Sequence, residues 1–118
     1  NLVYEIEQVA NNKKTEANVL IESPKNWWIL SWPYKDNPQK PNKCTKDYCV
    51  CICLNTLAMS QESYIESCEK SGVCSETSVK TKTIDANFGI ENNQPLIISP
   101  LQLKIIKENN EVLIKNVE

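Results

Sequence analysis

The chain switches between a helical and a strand-like hydrophobic period, and this pattern predicts most of its secondary structure. Near the start, apolar residues recur on one helical face, so residues 1–12 are expected to form an amphipathic helix. After a polar loop, short alternating or continuous apolar runs predict strands. These predicted strands span residues 17–22, 26–32, 48–54, 79–85, 96–99 and 101–105, and a return strand carries Val112, Ile114 and Asn116.

Cap and turn residues add one helix and one hairpin. Ser60 suits an N-cap and Gly72 suits a left-handed C-terminal stop, which predicts a helix over residues 60–71. Asn109 and Asn110 suit a two-residue hairpin turn with positive φ at both positions.

The expected fold class is mainly β (α+β), an antiparallel β-sheet or sandwich with an N-terminal helix and one short disulfide-tethered helix. Residues 1–12 form the N-terminal helix and a candidate attachment element. Residues 13–118 form a single disulfide-stapled β-rich domain.

Six cysteines lie close together, and their spacing restricts how they pair. Three of them alternate with aliphatic residues at the strand period, so their sulfurs point to one face. Cysteines two apart on a strand have Cα atoms about 6.6 Å apart, at the limit of bridging, so each should pair outside the triplet. Fifteen connectivities are thereby reduced to six. The preferred pairs are Cys44 with Cys49, Cys51 with Cys74, and Cys53 with Cys68. Such a disulfide framework predicts an extracellular or cell-surface location.

The missing residue types argue against a metal, a cofactor and an enzyme. Structural zinc sites use C-x₂₋₄-C pairs, often with histidine, whereas this chain has Cys-x-Cys-x-Cys and no histidine. Without histidine there is no Ser-His or Cys-His dyad, and without arginine there is no bidentate anion clamp. The acid pairs Glu62 with Glu66 and Asp85 with Glu91 are interpreted as solvated charges, not as glycosidase carboxylates. A net charge of −2 without a basic stripe argues against nucleic acid.

Two stretches are candidates for function. One is the tryptophan-rich strand, where aromatic rings could hold a sugar or the apolar side chains of a partner. We expect most of these rings to be core, and Trp27 is as well suited to binding as to the core. The candidate binding residues are Trp27, Trp28, Trp32 and Tyr34.

The other candidate is the apolar face of the N-terminal helix. The favoured interpretation is a terminal helix docked on the sheet as part of the fold. Because this face starts at the second residue and the only methionine is Met59, the helix is also predicted to be an attachment element that continues upstream into a membrane anchor or filament core. If the helix is merely docked, its apolar residues should be buried within their own chain. The candidate assembly residues are Leu2, Val3, Ile6 and Val9.

The order of the motifs also carries a resemblance. Between a short N-terminal helix with an aliphatic strand and a closing β-hairpin, the chain contains Trp32-Pro33, Pro41-x-x-Cys44, Cys49-x-Cys51-x-Cys53, Cys68 and Gly72-Val73-Cys74. Over nearly its whole length, this order resembles a group of poorly characterised membrane-anchored extracellular proteins of small-genome archaea. The helix-then-sheet order is also similar to the head of a type IV pilin-like subunit. Such subunits begin with a long apolar helix, whereas about three turns are predicted here. Neither resemblance supplies a catalytic or binding residue.

The expected function is therefore that of a non-catalytic extracellular structural or assembly protein, as a filament or surface subunit or a membrane-tethered head domain. The alternative is a carbohydrate- or protein-binding module that uses the tryptophan-rich strand. Expected partners are copies of the chain or other surface proteins, with carbohydrate in the alternative. Nucleic acid is not an expected partner, and contact with a membrane is expected only through an upstream anchor.

Overall fold

The structure is a computed structural model that describes residues 2–21, 27–33, 40–54, 61–86, 96–98 and 101–117. Within these residues, two helices and eight strands follow one another along the chain. They are α1 (Leu2–Ala10), β1 (Glu16–Ile21), β2 (Trp27–Trp32), β3 (Cys49–Leu54), α2 (Gln61–Ser71), β4 (Val73–Glu76), β5 (Thr81–Ile84), β6 (Leu96–Ile98), β7 (Leu101–Glu108) and β8 (Glu111–Asn116).

The strands form two four-stranded sheets. Sheet A has the order β1-β7-β8-β5, and sheet B has the order β4-β3-β2-β6. All pairs are antiparallel except β5 with β8, which is parallel. The predicted mainly β fold with an N-terminal helix is confirmed.

The main core lies between the two sheets and includes one side of α1. The helix packs on β1, β7 and β8, while β2 packs on β5. Ile6 and Val9 of α1 are fully buried in this core, together with Ile29 of β2 and Ile105 and Ile114 of sheet A. The helical period of α1 and the two-residue period of the strands therefore direct their apolar residues to one common interior.

The opposite face of sheet B forms a second core with α2. Trp28, Leu30 and Trp32 lie there among the cysteines, and the ring of Tyr64 meets Trp28 edge-on at a centroid distance of 5.0 Å. Strand β2 is thus buried on both faces, which explains its continuous apolar sequence.

Ser31 is the polar exception on the buried strand β2, and hydrogen bonds between the two sheets satisfy it. The Thr81 hydroxyl donates to Ser31 Oγ over 2.8 Å, and the Ser31 amide donates to Thr83 Oγ1 over 3.4 Å. These bonds join β2 of sheet B to β5 of sheet A. The two sheets can approach each other here because the side chains between them, serine and threonine, are small.

Several local predictions can be compared with the structure. Asn109 and Asn110 adopt φ of 50° and 69°, as the hairpin prediction required. Strand β4 was not predicted, and the strand expected over residues 79–85 is shorter. The N-cap proposed at Ser60 lies outside the described residues.

The interpretation of Gly72 as a left-handed helix stop is wrong. Its φ does not fall in the left-handed region, and its amide donates to the Cys68 carbonyl over 3.0 Å, continuing the helical pattern. A Cβ at this position would lie 2.6 Å from that carbonyl oxygen and 2.8 Å from Cys53 Sγ. Glycine is therefore required because both the last turn of α2 and the Cys53 sulfur lie too close for a side chain.

Candidate interaction surface

Three disulfides connect the cysteine strand β3 to the elements around it. They join Cys44 to Cys49, Cys51 to Cys74, and Cys53 to Cys68, with Cα–Cα distances of 5.8, 4.1 and 5.0 Å. The preferred connectivity predicted from the sequence is confirmed. Each bridge has a distinct role, because the first closes the loop before β3, the second crosses to β4, and the third ties α2 to sheet B.

The described tryptophans divide between core and surface. Trp28 and Trp32 are fully buried, while Trp27 is half-buried at the start of β2. Tyr34 lies outside the described residues. Among the described candidates for binding, only Trp27 therefore reaches solvent.

Trp27 belongs to an exposed apolar corner of sheet B. It is paired with Leu54 in the β2–β3 ladder, and Ile52 is paired with Val73 in the β3–β4 ladder, so all four side chains share one face. Leu54 is 43% and Val73 is 68% exposed, and Ile52 is half-buried. We call these four residues the β3–β4 patch.

The β3–β4 patch is continuous with the main core. On the same face of sheet B, Ile29 and Val50 are buried between the sheets, and both Trp27 and Ile52 pack against that core. Strand β4 pairs with β3 and is an edge of sheet B among the described strands. The corner therefore combines a row of apolar side chains with a strand edge, which together can bind another polypeptide.

Sequence reasoning identified only Trp27 of these four residues as a candidate for binding. Val73 lies in β4, which was not predicted as a strand, and Leu54 was placed on a strand but not on an exposed face. The sequence Val73-Cys74-Ser75-Glu76 shows no apolar–polar alternation, so the local pattern gave no signal for this strand.

The apolar face of α1 lies inside the molecule. Leu2, Ile6 and Val9 are buried in the main core, and Val3 packs partly against it. The burial that a docked helix requires is thus present for these residues. At the C-terminal end of α1, the Lys107 ammonium donates a hydrogen bond to the Ala10 carbonyl over 3.0 Å.

A carboxylate holds the cysteine loop against β4. Glu76 Oε1 accepts hydrogen bonds from the Thr45 amide and hydroxyl at 2.8 and 3.0 Å, and Oε2 accepts from the Lys46 amide at 3.1 Å. Burial raises the pKa of Glu76, but the hydrogen bonds from Thr45 and Lys46 outweigh it, so the pKa lies below its ordinary value.

Replacing this carboxylate should change how stability depends on pH. Because the folded pKa is lowered, the stability from Glu76 is fully present above the ordinary glutamate pKa of about 4.3 and is lost as the pH falls through the folded value. We expect Glu76→Gln to lower the urea midpoint at neutral pH, since an NH₂ group would face the Lys46 amide, and to flatten the loss of stability in acid.

Glu66→Gln is the matched control for this prediction. Its hydrogen bond from Lys70 lowers the pKa of Glu66, but this pair is exposed on α2 and should contribute little to stability. Equal urea midpoints and equal acid slopes for wild type and Glu76→Gln would contradict the role assigned to Glu76.

One cleft among the described residues lies beside the C-terminal end of α1. It is lined by Val9, Asn12, Lys14, Thr15, Lys107, Asn109 and Asn110. Its two ammonium groups are already engaged, since Lys14 pairs with Glu5 at 2.7 Å and Lys107 bonds the end of α1. The β3–β4 patch is therefore the candidate site that the described residues support best.

Within the described residues, neither helix is long and apolar enough to cross a membrane. Several disulfides are typical of an oxidising, extracellular-type environment. Comparison of the chain with family models, with curated proteins and with solved structures finds no match.

Proposed function

We propose that the chain is a non-catalytic extracellular structural or assembly protein that associates with copies of itself through the β3–β4 patch. The observation that carries this proposal is the exposure of Leu54 and Val73 beside Trp27 on a disulfide-stapled sheet. Single exposed apolar residues are common on monomeric proteins, but a row of them at a strand edge is typical of an interface.

A second copy is the partner that this geometry favours. An edge strand can pair antiparallel with the same strand of another copy about a two-fold axis, which makes the contact self-complementary. Such pairing of β4 would continue sheet B across the dimer and would place the patches of both copies on the same face of the extended sheet. In this proposal the apolar face of α1 belongs to the core of its own chain and not to the interface.

The alternative, a carbohydrate-binding module, is less well supported by the surroundings of Trp27. A sugar platform needs an exposed ring beside polar groups, because sugars combine apolar faces with hydroxyls. The cross-strand neighbour of Trp27 is Leu54, and Ile52 and Val73 lie on the same face. This apolar environment favours a protein contact.

Charge introduced into the patch should prevent self-association. We expect Leu54→Lys/Val73→Lys to weaken the dimer by more than about tenfold, because the two ammonium groups replace apolar contacts of the patch and repel the same groups of the second copy. The measurement is sedimentation equilibrium of oxidised wild type and variant over a range of concentrations, with thermal unfolding to confirm that the fold is retained.

Leu20→Lys is the matched control for the double variant. Leu20 is 57% exposed, lies on β1 in sheet A and is not part of the patch. It should leave association unchanged. A wild type that remains monomeric at all concentrations, or a double variant that associates as wild type does, would rule out the proposed interface.

A further inference from the structure

Four cysteine sulfurs form one compact cluster on the α2-facing side of sheet B. The Sγ atoms of Cys44, Cys49, Cys51 and Cys74 all lie within 4.8 Å of one another. Between the two disulfides, Cys51 Sγ lies 3.7 Å from Cys44 Sγ and 3.9 Å from Cys49 Sγ. In a tetrahedral site with Zn–S bonds of about 2.3 Å, neighbouring sulfurs are about 3.8 Å apart. Two contacts of the cluster therefore already have the spacing of a zinc–tetrathiolate site.

We propose that these four cysteines bind one Zn²⁺ when their two disulfides are reduced, so that the metal replaces both covalent bridges. Each disulfide takes two electrons and two protons from a dithiol reductant, which itself becomes a disulfide. The four thiols then release four protons as they bind the metal, because thiolates are the ligands. The same four residues thus hold the β3 region together in an oxidised and in a reduced form.

Contacts other than the disulfides keep the four ligands near each other. Cys51 of β3 is paired directly with Cys74 of β4. In the same ladder, Cys49 is paired with Glu76. The Cys44 amide donates to the Pro41 carbonyl over 2.9 Å, and the Glu76 carboxylate holds the residues after Cys44. Loss of the S–S bonds therefore leaves a backbone arrangement that still directs these thiols to one point.

The surroundings of the cluster suit a closed structural site with a route for metal entry. Cys44, Cys49 and Cys51 are buried, and Cys74 is partly exposed. Four thiolates and one Zn²⁺ carry a charge of −2, which needs nearby cations or donors. The Lys43 ammonium supplies one positive charge, since it donates to the Gly72 carbonyl over 2.6 Å and so lies between the segments that lead to Cys44 and Cys74.

The remaining two cysteines do not complete a competing four-ligand site among the described residues. Cys53 and Cys68 cluster only with Cys51, which gives three ligands. The sequence expectation of no metal rested on the absence of histidine and on the Cys-x-Cys-x-Cys spacing. That spacing concerns one strand, whereas the cluster draws its fourth ligand from β4 and its first from the preceding loop.

Cobalt titration of the reduced protein tests this site, because Co²⁺ occupies tetrahedral thiolate sites and absorbs light there. With a phosphine reductant present and oxygen excluded, we expect one Co²⁺ per chain, with charge-transfer absorption corresponding to four thiolates and displacement by Zn²⁺. In the same samples, bound metal should protect the four cluster cysteines from alkylation. The extent of alkylation at each cysteine is measured by mass spectrometry with and without metal.

Variants separate the proposed site from binding by any four thiols. Cys53→Ala/Cys68→Ala should retain the full cobalt spectrum, and the further addition of Cys44→Ala and Cys74→Ala should abolish it. Should the first variant fail to fold, metal-dependent protection in the reduced wild type still decides the outcome. Protection spread over all six cysteines, or the absence of a tetrahedral cobalt spectrum in the reduced wild type, would overturn the proposal.

Discussion

Removing the Cys51–Cys74 bridge by Cys51→Ala/Cys74→Ala is expected to lower the free energy of unfolding by about 3.4 kcal/mol. This bridge closes the longest of the three disulfide loops, with a sequence separation of 23. In the chain-entropy model, a longer loop restricts the unfolded chain more, so its loss costs more stability. The measurement is urea unfolding of the oxidised double variant against wild type.

The variant Cys44→Ala/Cys49→Ala provides the internal comparison. Its bridge spans a separation of only 5 and should contribute roughly 2.2 kcal/mol in the same model. Both variants remove one disulfide and leave no free thiol, so the difference reports loop length and position. A larger loss for Cys44→Ala/Cys49→Ala would contradict the assignment of Cys51–Cys74 as the main covalent restraint.

Strand geometry is local, and it reduced the possible disulfide connectivities from fifteen to six. The preferred set among these six closed the turn before β3 and tied the following helix and its exit to that strand. Alternation along β3 placed three sulfurs on one face, too far apart to bridge each other, and only three external cysteines remained. The turn at Asn109 and Asn110 was predictable for the same reason, since the backbone conformation of a tight turn depends on the residues in it.

The pairing of distant strands was beyond the sequence pattern. The parallel pair β5–β8 joins Thr81 to Val112 and Thr83 to Ile114, and no local signal distinguishes this from an antiparallel pair. The alternating threonines and lysines of β5 only indicated one buried face. The burial of Thr81 and Thr83 follows from the approach of Ser31 on β2, which is a long-range contact.

The candidate site depends on the same long-range information. Exposure of Leu54 and Val73 is set by how far sheet A and α1 extend over sheet B, which the hydrophobic period alone does not specify. The period did separate the two faces of β2, and it correctly placed Trp28 and Trp32 together. It could not indicate that the opposite face would be buried at Ile29 and half-exposed at Trp27.

Gly72 illustrates a different limit. Glycine after a helix is commonly explained by its freedom to adopt positive φ, and the sequence offers no means of distinguishing that reason from a steric one. Here the disulfide between Cys53 and Cys68 brings sulfur to within 2.8 Å of the position that a Cβ would occupy. The requirement for glycine therefore arises from steric contact with the Cys68 backbone and the Cys53 sulfur, and not from a positive φ.

Trp28→Ala is expected to cause a loss of stability of about 3 to 5 kcal/mol, the range typical for truncating a fully buried aromatic residue. Its ring packs edge-on against Tyr64 and lies among the disulfides beneath α2, so truncation leaves a cavity that rigid covalent links keep from collapsing. The indole Nε1 of Trp28 has no hydrogen-bond partner among the described residues, so Trp28→Phe should cost less than half as much. Urea unfolding of both variants measures the difference.

For the neighbouring residue, Trp27, we expect the opposite result, which is a small loss of stability and a weaker self-association. Trp27→Ala removes a half-buried ring from the β3–β4 patch, so it should lower the free energy of unfolding by only about 1 kcal/mol while weakening self-association in sedimentation equilibrium. Trp28→Phe, which leaves the patch intact, should associate as wild type does. Equal losses of stability for Trp27→Ala and Trp28→Ala, or unchanged association of Trp27→Ala, would show that the division of β2 into a structural face and a binding face is wrong. Because the two residues are adjacent in sequence and identical in type, a difference between the two alanine variants can be attributed only to the face on which each ring lies.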